Sequence, residues 1–173
     1  MSYIVVDVEG DGDIGINSMV CFGAVLIDSE GELDKTFYGQ TAPISDEYNP
    51  EALAVSGFSR KEHEAFPHHS VTMHAFNNWV LEHNKGRATL VSDNNGYDAS
   101  WMTYYFALNK IKNPFGWTSR RIGDMYAGFM NDTFYQWKKH RTSKHTHHPV
   151  DDAKGNAEAL IYLKNQGFKI SFK

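Results

Sequence analysis

The sequence predicts an α/β fold: a central mixed β-sheet of about five strands, the first three antiparallel, flanked by α-helices. Three observations carry this. The chain opens with three apolar, turn-separated segments of strand length. Helical-period segments then alternate with short strands. The length of 173 residues, 41% hydrophobic and 22% charged, fits one domain over residues 1–173 with a core of its own.

Residues 2–9 contain the run Tyr3-Ile4-Val5-Val6 and read as the first strand. Residues 18–28 read as the second, closed by the turn cluster Asp28-Ser29-Glu30-Gly31, and residues 33–41 as the third. Asn49 caps a short helix with Pro50 at its first position. Ser70 caps a helix of roughly 12–14 residues in which Met73, Phe76, Trp79 and Val80 recur at helical spacing. Residues 87–92 are a strand. Ala99 to Leu108 is helical, with Trp101, Tyr105 and Leu108 on related faces. Arg120-Arg121-Ile122 is a short strand leading into a helix from Asp124. The last helix runs from about Asp151 to Asn165, and Gly167 ends it.

Cys21 is the only cysteine, so no intrachain disulfide forms. Set within Met19 to Ile27, it is a small core residue. That apolar run is too short to span a bilayer, and the N-terminus lacks the pattern of a signal peptide. A cytoplasmic protein with no membrane contact is expected. The net charge of −4 gives no global attraction for nucleic acid. Charge is uneven, however: the first half is acid-rich, whereas Lys138-Lys139-His140-Arg141 and Lys144 form a basic segment.

The first strand ends in acid. Side chains two apart on a strand share a face, so Asp7 and Glu9 lie together and Val6 and Val8 lie opposite. Two carboxylates beside a core either face water or share a cation, and hard Mg²⁺ or Mn²⁺ prefers oxygen ligands. Asp7-x-Glu9-x-Asp11-Gly12 brushes the calcium-loop pattern but fails it: Ser18 holds the twelfth position and the flanking element is a strand. Two further acids stand in similar settings. Asp98 lies at the mouth of a helix after strand 87–92. Asp151 and Asp152 open the last helix after His145, His147 and His148. Acids in a first helical turn also suit the backbone amides. Histidines there also suit a solvated loop or a zinc site, although no cysteine lies near.

Taken in order, these segments resemble the DEDDh branch of the DnaQ-like 3′–5′ exonucleases. That group includes polymerase proofreading domains, oligoribonuclease and ribonuclease T. Its strand-borne Asp-x-Glu is here Asp7-Val8-Glu9. Its second motif, His-Asn-x-x-Phe-Asp, is here Asp93-Asn94-Asn95-Gly96-Tyr97-Asp98. Its third, a histidine five residues before an aspartate, is here His147 to Asp152; His148 fits only a four-residue step. Gly10 stands where threonine is usual, Asp93 and Ser56 where histidines are common, and Pro149 where alanine is usual.

The resemblance implies a ribonuclease H-like fold and two-metal phosphodiester hydrolysis. Asp7, Glu9, Asp98 and Asp152 would hold two divalent ions, Mg²⁺ or Mn²⁺, with Asp7 bridging them, and His147 would act as general base. The implied substrates are single-stranded nucleic-acid ends or short oligonucleotides. RNA is favoured over DNA, because the compact domain is similar in size to oligoribonuclease and ribonuclease T. The family also admits a homodimer. Arg120, Arg121, Lys138, Lys139, Arg141 and Lys144 are candidates for gripping phosphates; Phe22, Phe58, Tyr97, Trp101 and Tyr135 are candidates for stacking bases. The alternatives are a non-catalytic binding member of the same fold, a DNA-directed exonuclease, a zinc-binding protein and an internally cutting nuclease.

Overall fold

The structure is a computed structural model that describes residues 2–173. Its five strands lie in the order β3-β2-β1-β4-β5. Strands β1 (Ser2–Gly10), β2 (Met19–Ile27) and β3 (Thr36–Gln40) pair antiparallel in succession. Strands β4 (Ala88–Ser92) and β5 (Ser119–Arg121) extend the sheet from β1 in parallel. All nine residues of β2 are buried, because helices cover both faces of the sheet there and β1 and β3 flank it.

Six α-helices complete the fold: α1 (Pro50–Val55), α2 (Arg60–Glu64), α3 (His69–His83), α4 (Asn95–Leu108), α5 (Ile122–Met130) and α6 (Pro149–Asn165). A 3₁₀ turn spans Trp137–His140. Asn49 caps α1 as expected, accepting from the Glu51 and Ala52 amides. The cap of α3 is His68 rather than Ser70, since the His68 ring nitrogen accepts from the Ser70 amide and the helix has already begun. Helix α6 starts earlier than Asp151 because Pro149, with its fixed φ and no amide hydrogen, suits the first helical position. Helix α2 was absent from the expectation, yet Ser59 and Glu62 form a capping box there.

The two faces of the sheet carry separate cores. Ile4, Val6 and Val8 pack with Phe22, Met73, Phe76, Trp101 and Phe106 against α3 and α4. Val5 packs with Val25, Val91, Ala153, Ala157 and Leu160 beneath α6. By alternation Asp7 and Glu9 share the Val5 face and finish under the start of α6. Gly23 pairs across from Asp7, and a Cβ there would run into the Pro149–Val150 peptide. Glycine at this position thus lets α6 begin in direct contact with β2, next to Asp7. Phe22 and Trp101 are completely buried in the first core and are not stacking platforms, while Phe58 lies edge-on against Phe66 at 4.9 Å. No helix among the described residues is long and apolar enough to cross a membrane.

Candidate active site

The carboxyl ends of β1 and β4 and the first turns of α4 and α6 converge on one acidic centre. Asp98 is only 2% exposed. One of its oxygens accepts the Val8 amide of β1 at 3.1 Å, and Oδ2 has no hydrogen-bond partner. Burial pushes this carboxyl up to about 7. Burial also raises Asp7 well above the ordinary carboxylate range; the neighbouring Asp98, Glu9 and Asp152 raise it further, and Arg141 partly offsets them. Glu9 is pushed up to about 7 by burial and then by Asp152. Asp7 therefore has the other three predicted acids as electrostatic neighbours, brought together from three elements distant in sequence.

Asp7, Glu9 and Asp98 ionise with difficulty on their own, and Arg141 partly offsets Asp7. Their oxygens are hard donors, and one of them is buried without a partner. The set suits hard divalent cations, which would supply the charge the carboxylates lack and take the free oxygen of Asp98.

Asp152 has a second role, visible only in three dimensions. Its Oδ1 accepts the Thr146 amide at 3.2 Å and its Oδ2 the His147 amide at 3.0 Å. These bonds fasten the irregular segment before α6, where His147 turns through a left-handed conformation at φ 59°. The exposed His147 ring lies 4.2 Å from that of His145. His145 in turn brings Nδ1 to 2.7 Å from Asp152 Oδ1. His148 goes elsewhere: it stacks on Tyr38 at 5.0 Å and approaches Asp151 at 3.8 Å. Of the two candidate histidines, His147 is the one whose amide donates to the Asp152 carboxylate.

Several proposed phosphate-gripping cations have internal partners. Lys138 lies 2.6 Å from Asp93, and Arg141 lies 3.7 Å from the same carboxylate while also bonding Asn156. Arg121 donates to the Asp93 carbonyl at 3.2 Å and pairs with Asp124 at 2.8 Å. Lys139 sits over the Tyr135 ring at 4.4 Å. Asp93, which replaces the family's usual histidine, thus ties the end of β4 to the basic segment. Arg141 is mostly buried, and its charge offsets Asp7 only as the smallest of the influences on that carboxyl.

The acid-rich turn after β1 is largely structural. Asp11 is fully buried, where it accepts the Ser18 amide and meets Arg60 at 3.1 Å and His63 at 3.5 Å. It closes the loop rather than joining the site. Gly10, where threonine is usual, lies so close to the Tyr97 hydroxyl and the Trp101 ring that a Cβ would collide with them. The sequence reading missed Asp93 as an anchor, the pairing of Arg141 with Asp93, and the approach of His145 to Asp152. The alternation His145-x-His147 was the one available signal, and its spacing alone does not reach Asp152.

The sheet and its flanking helices have the ribonuclease H-like fold of the DEDDh exonucleases. Similar folds include the nuclease domain of 3′hExo, a DEDDh family member, bound to rAMP. It matches with a TM-score of 0.80 and 16% identity, over 99% of this chain and 96% of that one. E. coli exonuclease I in complex with a dA16 oligonucleotide matches with a TM-score of 0.74 and 15% identity, over 95% of this chain and 41% of that one. At the sequence level, the 3′–5′ DNA exonuclease Cap18 of Escherichia coli is 31% identical over 162 residues, which is 91% of this chain and 83% of that protein. Residues 2–163 match the family described as the 3′–5′ exoribonuclease Rv2179c-like domain, and the chain belongs to that family.

Proposed function

We propose that the chain removes nucleotides from single-stranded 3′ ends, RNA before DNA, with two divalent ions held by Asp7, Glu9, Asp98 and Asp152. The observation that carries this reading is the convergence of Asp98, Glu9 and Asp152 on the buried Asp7, with one oxygen of Asp98 left unpartnered in the interior. Two Mg²⁺ or Mn²⁺ ions in such a set would stabilise the charge on the attacking and leaving oxygens of an in-line displacement. Asp7, central in the cluster, would contribute to both ions; Glu9 and Asp152 would serve one and Asp98 the other.

The protein's own groups supply the rest. His147 would take the proton from the attacking water, because imidazole changes charge near neutral pH. Asp152, through two backbone amides, fixes the segment that presents the His147 ring. The RNA preference draws on the family's description as exoribonucleases. The DNA-directed reading draws on the 31% identity to Cap18, a DNA exonuclease.

The test uses 5′-labelled single-stranded RNA and DNA of one sequence, with Mg²⁺ or Mn²⁺, and compares the native protein with Asp7→Asn. The native protein should shorten the label stepwise, RNA faster, and the variant should be inactive. Equal rates for the two proteins would end the metal reading; faster loss of the DNA strand would establish the DNA-directed one.

A further inference from the structure

Beside the all-oxygen set just described, and sharing Asp152 with it, one other group of potential metal donors stands out. Among the described residues, His145, His147 and Asp152 are the one trio of such side chains whose ligand atoms all lie within 4.8 Å of one another. We propose that these three residues form a site for a borderline divalent transition metal, typified by Zn²⁺, which overlaps the catalytic centre and silences it.

Donor chemistry separates this site from its neighbour. Two imidazole nitrogens and one carboxylate oxygen are ligands that zinc accepts readily, whereas Mg²⁺ holds oxygens and dehydrates reluctantly. Each position is also pre-arranged. Asp152 is 2% exposed and fixed at the start of α6. His145 sits against its Oδ1. The left-handed turn at His147, pinned by the bond from its amide to Oδ2, brings the second ring across the first.

A tetrahedral ion with bonds of about 2.0–2.1 Å needs donors roughly 3.3 Å apart. The widest pair, at no more than 4.8 Å, must therefore close by at most roughly 1.5 Å, while His145 and Asp152 at 2.7 Å must open slightly. Both histidines are exposed and lie on an irregular segment, so ring rotation and a small loop movement supply that contraction.

The silencing half rests on the functional reading above. An imidazole nitrogen bonded to zinc has no lone pair for a proton, so His147 could not act as base. Asp152 would at the same time be drawn toward the histidines and away from Glu9. Imidazole suits zinc whereas Mg²⁺ prefers oxygen ligands, so micromolar zinc would compete there in the presence of millimolar Mg²⁺.

The test combines a binding measurement with a rate measurement. Zinc is titrated into the native protein, His145→Ala and His145→Gln in competition with a chromophoric zinc chelator. The same proteins are assayed with Mg²⁺ and labelled oligonucleotide as zinc is raised, each against its own zinc-free rate. The native protein should bind one zinc ion and lose activity in step with occupancy. Both variants should bind at least about tenfold more weakly, since even outer-sphere changes cost about 10- to 100-fold in metal affinity. Their inhibition curves should shift by the same factor. Unchanged zinc affinity in both variants would overturn the site, and zinc bound there without loss of rate would overturn the silencing. Failure of the underlying functional reading looks different: Asp7→Asn would keep its Mg²⁺-dependent activity while the chelator titration still reported the zinc site.

Discussion

Replacing Asp98 with asparagine should stabilise the protein when metal is chelated, while abolishing activity. The carboxyl is 2% exposed and rises from 3.8 to about 7. A shift of roughly 3 units corresponds to a gross penalty of about 4 kcal/mol for holding the charge inside. Asparagine keeps an acceptor for the Val8 amide but places an amide group where Oδ2 has no partner, which costs about 1–3 kcal/mol. The net gain is about 1–3 kcal/mol, or a rise in Tm of about 5 °C for a chain of this size. The sign depends on pH. Below about pH 4 the acid is protonated in both the folded and the unfolded chain, and the penalty is absent. Between about pH 4 and 7 the unfolded chain loses its proton first, so native stability falls as pH rises; above about pH 7 the penalty is constant. Thermal melts in chelator from pH 4 to 8 should show the variant gaining its advantage across that window. Added Mg²⁺ should then raise the native Tm and leave the variant almost unmoved. A native protein more stable than Asp98→Asn at pH 8 in chelator, or a gap independent of pH, would refute this reasoning.

Gly23→Ala should destabilise the fold by about 1–3 kcal/mol through overpacking, and should also cut kcat, because the new Cβ pushes on the peptide that starts α6 and carries Asp152. A displacement of about 1 Å there costs on the order of 100-fold in rate, which a melt and a kinetic assay on the same sample would separate. His147→Ala should lower kcat by about 10²–10⁴-fold with KM nearly unchanged, and a loss confined to KM would argue against a proton-transfer role. At limiting Mg²⁺, activity should climb with pH through about 7 as Glu9 and Asp98 lose their protons, and the midpoint should fall as Mg²⁺ is raised. A midpoint insensitive to metal concentration would contradict that coupling.

Much of the fold was legible because its signals are local. The β-branched run before Asp7, the cap at Asn49 and the periodic apolar residues of α3 each declare an element within a few residues. The alternation that set Asp7 opposite Val6 follows from strand geometry and holds. Helix starts were displaced because acids and serines within a first turn resemble caps, whereas His68 and His148 hold the cap positions. What stayed hidden depends on long-range approach. Arg141 reads as one more cation in a basic run until the fold lays it beside Asp7 and Asp93. Asp11 reads like another member of the acidic cluster until Arg60 and His63 enclose it. Phe22 and Trp101 are aromatic in sequence without any mark of whether they face a substrate or the core.

The central claim is that the carboxylates of Asp7, Glu9, Asp98 and Asp152 hold a pair of divalent ions. Anomalous scattering from crystals grown with Mn²⁺ and a non-hydrolysable oligonucleotide tests it most directly. Two manganese peaks about 3.5–4 Å apart, bounded by these four side chains, are the predicted result. Manganese bound elsewhere on the chain, with the four carboxylates free of it, would contradict the account.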